Sequence, residues 1–166
     1  MGAFVKLLDL LLFVYFIFIA NSIPLLNSQV VLPKYMFPSM LVDLMNWYIQ
    51  EFGDYLASEK PHFFVGLVWL ELLFSWPLCV LSLYAIAAGK SWINTTCLVY
   101  GASTITSMVA IISELNGSKR ASVKLLLAYY PFLGFAVLAI LRGLLPHSGK
   151  TISIRKRSDI GRKKRA

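Results

Sequence analysis

Glu71 is the one ionisable group in a long apolar run, Val68-Trp69-Leu70-Glu71-Leu72-Leu73-Phe74. A carboxyl in such surroundings can pair with a cation, or exchange hydrogen bonds with a buried hydroxyl or amine. Left against hydrocarbon it costs several kcal/mol, so it must face other protein groups or a ligand. The bland reading is a helix–helix hydrogen bond to Thr, Asn or Tyr. The functional one is a polar anchor in an apolar cavity, binding a ligand amine or a sterol hydroxyl. Candidate neighbours are Asn27, then Thr104, Thr106 and Ser107, then Tyr129 and Tyr130. Pro24, Pro77 and Pro131 fall in apolar stretches, where a proline frees a carbonyl and kinks a helix, opening room for a cavity.

Other chemistries lack residues. The chain has no CxxC, HExxH or GxSxG motif and no Gly-rich phosphate loop. His62 and His147 sit at predicted helix ends and are too few for a metal cluster, so no metal and no cofactor is expected. Cys79 and Cys97 fall in apolar stretches and read as small buried hydrophobes. The sequons at Asn94 and Asn116 are short enough to arise by chance and are assigned no function.

The elements that must position Glu71 follow from composition. Of 166 residues, 58% are hydrophobic and 14% charged, and the mean hydropathy is +0.69. A soluble domain of this size could not bury so much apolar surface. Residues 10–33, 91–113 and 125–141 carry no charge, and 61–89 carry only Glu71. Each is near or above span length, and helices satisfy their own backbone in lipid. Spans are expected at about 5–26, 62–86, 92–114 and 123–145, with Glu71 about ten residues into the second, near the midplane. No period-2 alternation supports a β-barrel. The first stretch could mimic a signal peptide ending at Ala20-Asn21-Ser22, but apolar character resumes at Ile23, so it is read as a retained helix. Between the first two spans, Met40, Leu41, Leu44, Met45, Trp47 and Tyr48 recur at helical spacing up to Phe52. That pattern predicts a short amphipathic helix at the membrane interface or capping the bundle. The expected fold class is thus an all-α membrane protein, a four-transmembrane-helix bundle over 1–146.

Residues 147–166 form a basic cytosolic tail. They hold Lys150, Arg155, Lys156, Arg157, Arg162, Lys163, Lys164 and Arg165 against Asp159. The tail carries +7 of the total +8 and the body +1. A terminal run on an apolar body is not a nucleic-acid-reading face, so no nucleic-acid partner is expected. It sets topology instead: four spans put both termini on one side, and the basic tail places that side in the cytosol. The 27–60 segment then faces the lumen. Lys119, Arg120 and Lys124 oppose the rule and are outvoted by the tail.

The chain resembles a known family. The likeness rests on Val14-Tyr15-Phe16, Asn27-Ser28-Gln29-Val30-Val31-Leu32-Pro33, Trp47-Tyr48, Glu51-Phe52-Gly53-Asp54, Glu71-Leu72-Leu73-Phe74 and Pro77. It continues through Tyr100, Ser103-Thr104, Ala128-Tyr129 and Pro131. This combination resembles the sigma-2 receptor (sigma intracellular receptor 2) family. These are four-helix endoplasmic-reticulum proteins of the EXPERA class, which also holds emopamil-binding protein, a sterol Δ8–Δ7 isomerase. The resemblance implies a membrane-embedded pocket for sterols and amphiphilic amines, homodimers, and a role in sterol homeostasis or trafficking, with a larger sterol-transport membrane protein as partner.

By the same resemblance, the ligand-binding positions are Glu71, Asn27, Trp47, Tyr48, Phe64, Tyr100, Thr104 and Tyr129, and Asp54 is a structural acid bracing the luminal segment. Asn27 departs from the family, whose animal members have Asp there. One titratable group then replaces a carboxyl pair that would share a proton and favour a cation. Amine affinity should suffer more than binding of a neutral sterol hydroxyl. Lys163 and Lys164, fourth and third from the end, look like a dilysine retrieval signal for the endoplasmic reticulum. The leading expectation is a non-catalytic sterol-binding protein, not an enzyme. The alternatives are a sterol isomerase, which needs a placed acid and base, and a membrane scaffold or chaperone that binds no ligand.

Overall fold

The computed structural model describes residues 2–145, so the basic tail, with Lys163 and Lys164, lies outside the described residues. All regular elements among the described residues are helical. Among the described residues four helices are long and apolar enough to span a membrane. They are α1 (Gly2–Leu25), α4 (His62–Ala87), α5 (Ile93–Gly117) and α6 (Val123–Leu144). Between α1 and α4 run two 3₁₀ turns, Asn27–Val30 and Lys34–Met36, then α2 (Ser39–Phe52) and α3 (Tyr55–Glu59). The predicted spans and amphipathic helix are all present, with ends shifted by a few residues.

Local chemistry sets the boundaries. Gly53 ends α2 at φ 66, a left-handed conformation that favours glycine. Asp54 follows and caps α3, its Oδ1 accepting from the amides of Leu56 (3.1 Å) and Ala57 (3.2 Å). Ser122 caps α6 by accepting from the Leu125 amide at 3.0 Å. The short α3 was not anticipated; its Asp54 cap is its one local signal.

The proline in α4 is accompanied by a local change of helix type. Pro77 lacks an N–H and its ring crowds the Leu73 carbonyl one turn earlier. The helix absorbs this as a π-turn over Glu71–Ser75, in which the Trp76 amide reaches back to the Glu71 carbonyl. In α1, Pro24 leaves the Ala20 carbonyl without its helical donor, and Trp76 Nε1 donates to that oxygen at 2.9 Å. The proline gap in one span thus becomes a tie to another.

The interior divides into two clusters. One joins α1, α4, α5 and α6 through Leu12, Phe16, Ile19, Cys79, Cys97, Tyr100 and Ala139. The other joins Val30, Leu56, Phe64, Val68, Ile111 and Leu125 at the end of the bundle that carries α2 and α3. Helices α5 and α6 approach closely because Gly101 and Gly143 leave room. A Cβ on Gly101 would meet the Ala136 carbonyl at 2.7 Å, and one on Gly143 the Asn94 carbonyl at 2.8 Å. The outward faces keep Phe4, Leu7, Leu10, Val14, Leu73 and Leu127 exposed, as lipid contact requires.

The other end of the bundle holds a charge cluster that the apolar pattern did not reveal. Arg142, in the last turn of α6, is 2% exposed and forms an ion pair with Asp9 of α1. Its Nη1 also donates to Asn94 Oδ1 of α5 at 3.1 Å. Three spans are therefore pinned by one guanidinium. Removing one member of such a pair strands the other, at a cost of about 3–5 kcal/mol, whereas replacing both by apolar groups is often nearly neutral. Arg142→Met should lower the unfolding temperature in detergent markedly, and the double variant Asp9→Leu/Arg142→Met should recover at least half of the loss. An unchanged midpoint in the single variant contradicts the pairing.

Candidate functional site

A cavity of about 360 Å³ lies where the two apolar clusters meet. That volume is within the usual range for small-ligand sites. Apolar residues such as Ile19, Leu26, Val68, Met108, Ile111 and Phe132 make most of its wall. Its polar groups are few: Asn27, Glu71, Asp54, Tyr48, Tyr129 and the hydroxyls of Ser22, Ser75, Thr104 and Ser107.

Glu71 faces this cavity. It is the tenth of the 26 residues of α4 and the first of the π-turn, and the turn begins at the point where its side chain must leave the helix. Its Oε2 accepts a hydrogen bond from Asn27 Nδ2 at 2.9 Å. Asn27 is delivered by the 3₁₀ turn that follows Pro24, where Ser28 Oγ back-bonds to the Pro24 carbonyl at 2.6 Å. Among the described residues Oε1 has no hydrogen-bonding partner within the chain. The pair thus offers a ligand one carboxyl oxygen already oriented by an amide.

The second acid of the cavity is committed. Asp54 is 1% exposed. It spends Oδ1 on the two capping amides and accepts from the Tyr129 hydroxyl on Oδ2 at 2.9 Å. Tyr48 lies beside it. Burial holds the Tyr48 hydroxyl well above the ordinary tyrosine range, and the Asp54 charge pushes the same way. Tyr48 is therefore a neutral O–H at any physiological pH.

Of the expected ligand-binding positions, the structure brings Asn27, Trp47, Tyr48, Phe64, Glu71, Thr104 and Tyr129 to one cavity, with Asp54. Trp47 is 56% exposed and stands at its edge. Tyr100 is not brought there. It shares the Thr104 face of α5 one turn away, but its ring is taken up edge-on by Phe16, with centroids 5.0 Å apart. Its hydroxyl meets that of Tyr15 at 3.0 Å. Of the looser candidates, Ser107 lines the cavity. Thr106 is exposed and back-bonds to the Ala102 carbonyl at 2.9 Å, and Tyr130 is 45% exposed. Sequence reasoning missed Ser22 and Ser75; each is a small polar residue beside a span proline, which is the signal that could have found them. Among the described residues no group of His, Cys, Asp or Glu could hold a metal ion.

A family model described as EXPERA (expanded EBP superfamily) matches residues 40–143. The chain is 33% identical over 116 residues to sigma intracellular receptor 2 of Xenopus tropicalis, covering 69% of this chain and 68% of that relative. It is 32% identical over 112 residues to the proteins of the same name from Macaca fascicularis and Homo sapiens, covering 65% of this chain and 62% of each. The chain spans about two thirds of the length of the relatives it matches.

The Asp54 geometry carries its own test. Asp54→Ala should cost about 1–2 kcal/mol for the lost cap and about 1 kcal/mol more for the lost Tyr129 bond. Tyr129→Phe alone should cost about 1 kcal/mol, and the double variant should cost less than the two singles added, because they share one bond. Thermal unfolding in detergent measures all three; strict additivity contradicts the contact.

Proposed function

The chain belongs to the EXPERA family, and we propose that it is a non-catalytic, receptor-type protein that binds a sterol in the cavity at Glu71. The observation that carries this reading is one carboxyl with an uncommitted oxygen, oriented by Asn27 in a mostly apolar cavity of ligand size whose other acid, Asp54, is spent on the protein's own donors. A sterol matches it: a rigid apolar body for the walls and one hydroxyl for the free carboxyl oxygen. The site residues are Glu71 and Asn27 as the polar anchor, with Trp47, Tyr48, Phe64, Thr104 and Tyr129 as walls and Asp54 as the brace. Amphiphilic amines are the second ligand class, bound more weakly than by a two-carboxyl pocket because Asn27 cannot ionise.

The same reading places the protein in the endoplasmic reticulum with both termini cytosolic, on the basic tail and the Lys163-Lys164 pattern. There it regulates sterol homeostasis or trafficking, as a homodimer or beside a larger sterol-transport protein. A Δ8–Δ7 isomerase finds less support. Among the described residues the one histidine, His62, does not line the cavity, Glu114 is on the exposed end of α5, and Asp54 is fully occupied by three donors. One free carboxyl does not make the acid and base that the reaction needs.

Crosslinking with a photoactivatable sterol tests the anchor. Glu71→Ala should weaken binding about tenfold or more, the size expected for losing a hydrogen bond to a carboxyl. A tail variant such as Lys156→Gln should bind as wild type, and equal binding by Glu71→Ala would overturn the assignment. Asn27→Asp tests the amine argument. It should raise affinity for a hydrophobic amine and make that affinity depend on pH, falling as acid protonates the restored carboxyl pair. An affinity that is unchanged and flat with pH rejects the argument.

A further inference from the structure

A second, smaller cavity lies next to the first, between α2, α3 and the 3₁₀ turns; it shares Val30, Met45 and Ala57 with that wall, but its polar groups are different. Its volume is about 290 Å³. Lys34 and Lys60 line it, with the side chains of Asn46, Gln50, Ser58 and Gln29. No carboxylate lines it.

Both cations have only neutral partners. Lys60 Nζ donates to the Gln29 backbone carbonyl at 3.2 Å. Lys34 Nζ stands 3.5 Å from Asn46 Oδ1, which leaves the Asn46 amide nitrogen as a donor. An ammonium group has three donors, so both retain unused ones. Of the neighbouring acids, Glu59 pairs with Arg120 and Glu51 with Lys124, and Asp43, one turn before Asn46 on α2, is exposed and does not line the cavity. Burial pushes the Lys60 amine below the ordinary lysine range, and the Lys34 charge pushes it the same way. Negative charge is what this cavity lacks.

The backbone adds a second, independent observation. Lys60 caps α3 at φ 52, a left-handed conformation in which glycine is the usual residue and a lysine is strained. At the end of α2 the corresponding left-handed position is taken by Gly53, and Lys119 takes one outside both cavities, whereas Lys60 lines this one. Gln29 is fixed as well: it is 3% exposed, and its Nε2 donates to the carbonyls of Leu25 (2.8 Å) and Leu41 (3.1 Å). Its Oε1 is buried without a partner. An unpartnered acceptor on a residue that lines the cavity together with two cations suits a group that carries negative charge and a hydroxyl together.

We propose that this cavity binds a phosphate group, held by Lys34 and Lys60 and completed by the amides of Asn46 and Gln50. A singly protonated phosphate offers acceptors to the two ammonium groups and an O–H to a neutral oxygen. Two sources present that chemistry at this end of the bundle. One is a soluble phosphate. The other is the headgroup of a phospholipid, for which exposed Tyr35, Met36 and Met40 at the rim of the same segment would supply apolar contact.

Calorimetric titration of the purified full chain in uncharged detergent tests the site with three probes: inorganic phosphate, dioctanoyl phosphatidic acid and dioctanoylglycerol. Wild type should bind at least one phosphate probe and should not bind dioctanoylglycerol here. Saturation by inorganic phosphate assigns a soluble anion; saturation by phosphatidic acid alone assigns a lipid headgroup. Lys34→Gln, at an exposed position, and Lys60→Gly, which keeps the left-handed cap, should each weaken binding about tenfold. Lys90→Gln, between α4 and α5, should not change it. The proposal is overturned if neither phosphate probe binds, or if both cavity variants bind as wild type does.

Discussion

A carboxyl set deep in a membrane span has to be satisfied from inside the protein, and much of this fold serves that requirement. The cost of leaving Glu71 against lipid exceeds what a single wall contact returns. The chain meets it by bringing Asn27 back to mid-depth. A straight α1 could not do so. The regular helix stops at Leu25, one residue past Pro24, a 3₁₀ turn follows, and the amide arrives at 2.9 Å from the acid. On the facing side Pro77 forces a π-turn that starts at Glu71 itself. The two prolines thus shape both halves of one hydrogen bond. The carbonyl that Pro24 frees is filled by Trp76, so α1 and α4 are joined twice around the cavity.

The rest of the structure keeps that cavity open without letting the bundle spread. At one end the Asp9–Arg142 pair and Asn94 draw α1, α5 and α6 together, and the glycine contacts of α5 with α6 close the remaining gap. At the other end Asp54 is a brace. It caps α3 and receives Tyr129 of α6, which ties the segment between α1 and α4 to the last span. A polar network is worth most where every member is satisfied, and Asp54 meets that condition with three donors. Glu71 does not, and the contrast between the two acids separates a structural carboxyl from one open to a ligand.

Much of the frame was legible in the amino-acid order, for a physical reason. Span length is set by bilayer thickness, so long apolar runs locate helices within a few residues. The amphipathic α2 was visible because its apolar residues recur at helical spacing. The Glu71–Asn27 pair was foreseeable because few polar groups lie at that depth. Other features depend on rotation about helix axes, which hydropathy does not encode. Asp9 and Arg142 are 133 positions apart, within the first and last expected spans, and no sequence spacing links them; only packing makes them a pair. Thr106 and Tyr130 sit beside true lining residues and point away. Tyr100 shares the face of Thr104, yet Tyr15 and Phe16 claim it for the core. The π-turn was hidden because a proline announces a disturbance and not its form.

The central claim is that the inward carboxyl of Glu71 holds a sterol in the bundle. Mass spectrometry of lipids that stay bound through purification tests it most directly, comparing wild type with Glu71→Gln at matched folding. The account predicts a sterol enriched on the wild-type protein and depleted on the variant, with phospholipid content alike in both. Equal sterol on both proteins, or none on either, would contradict it.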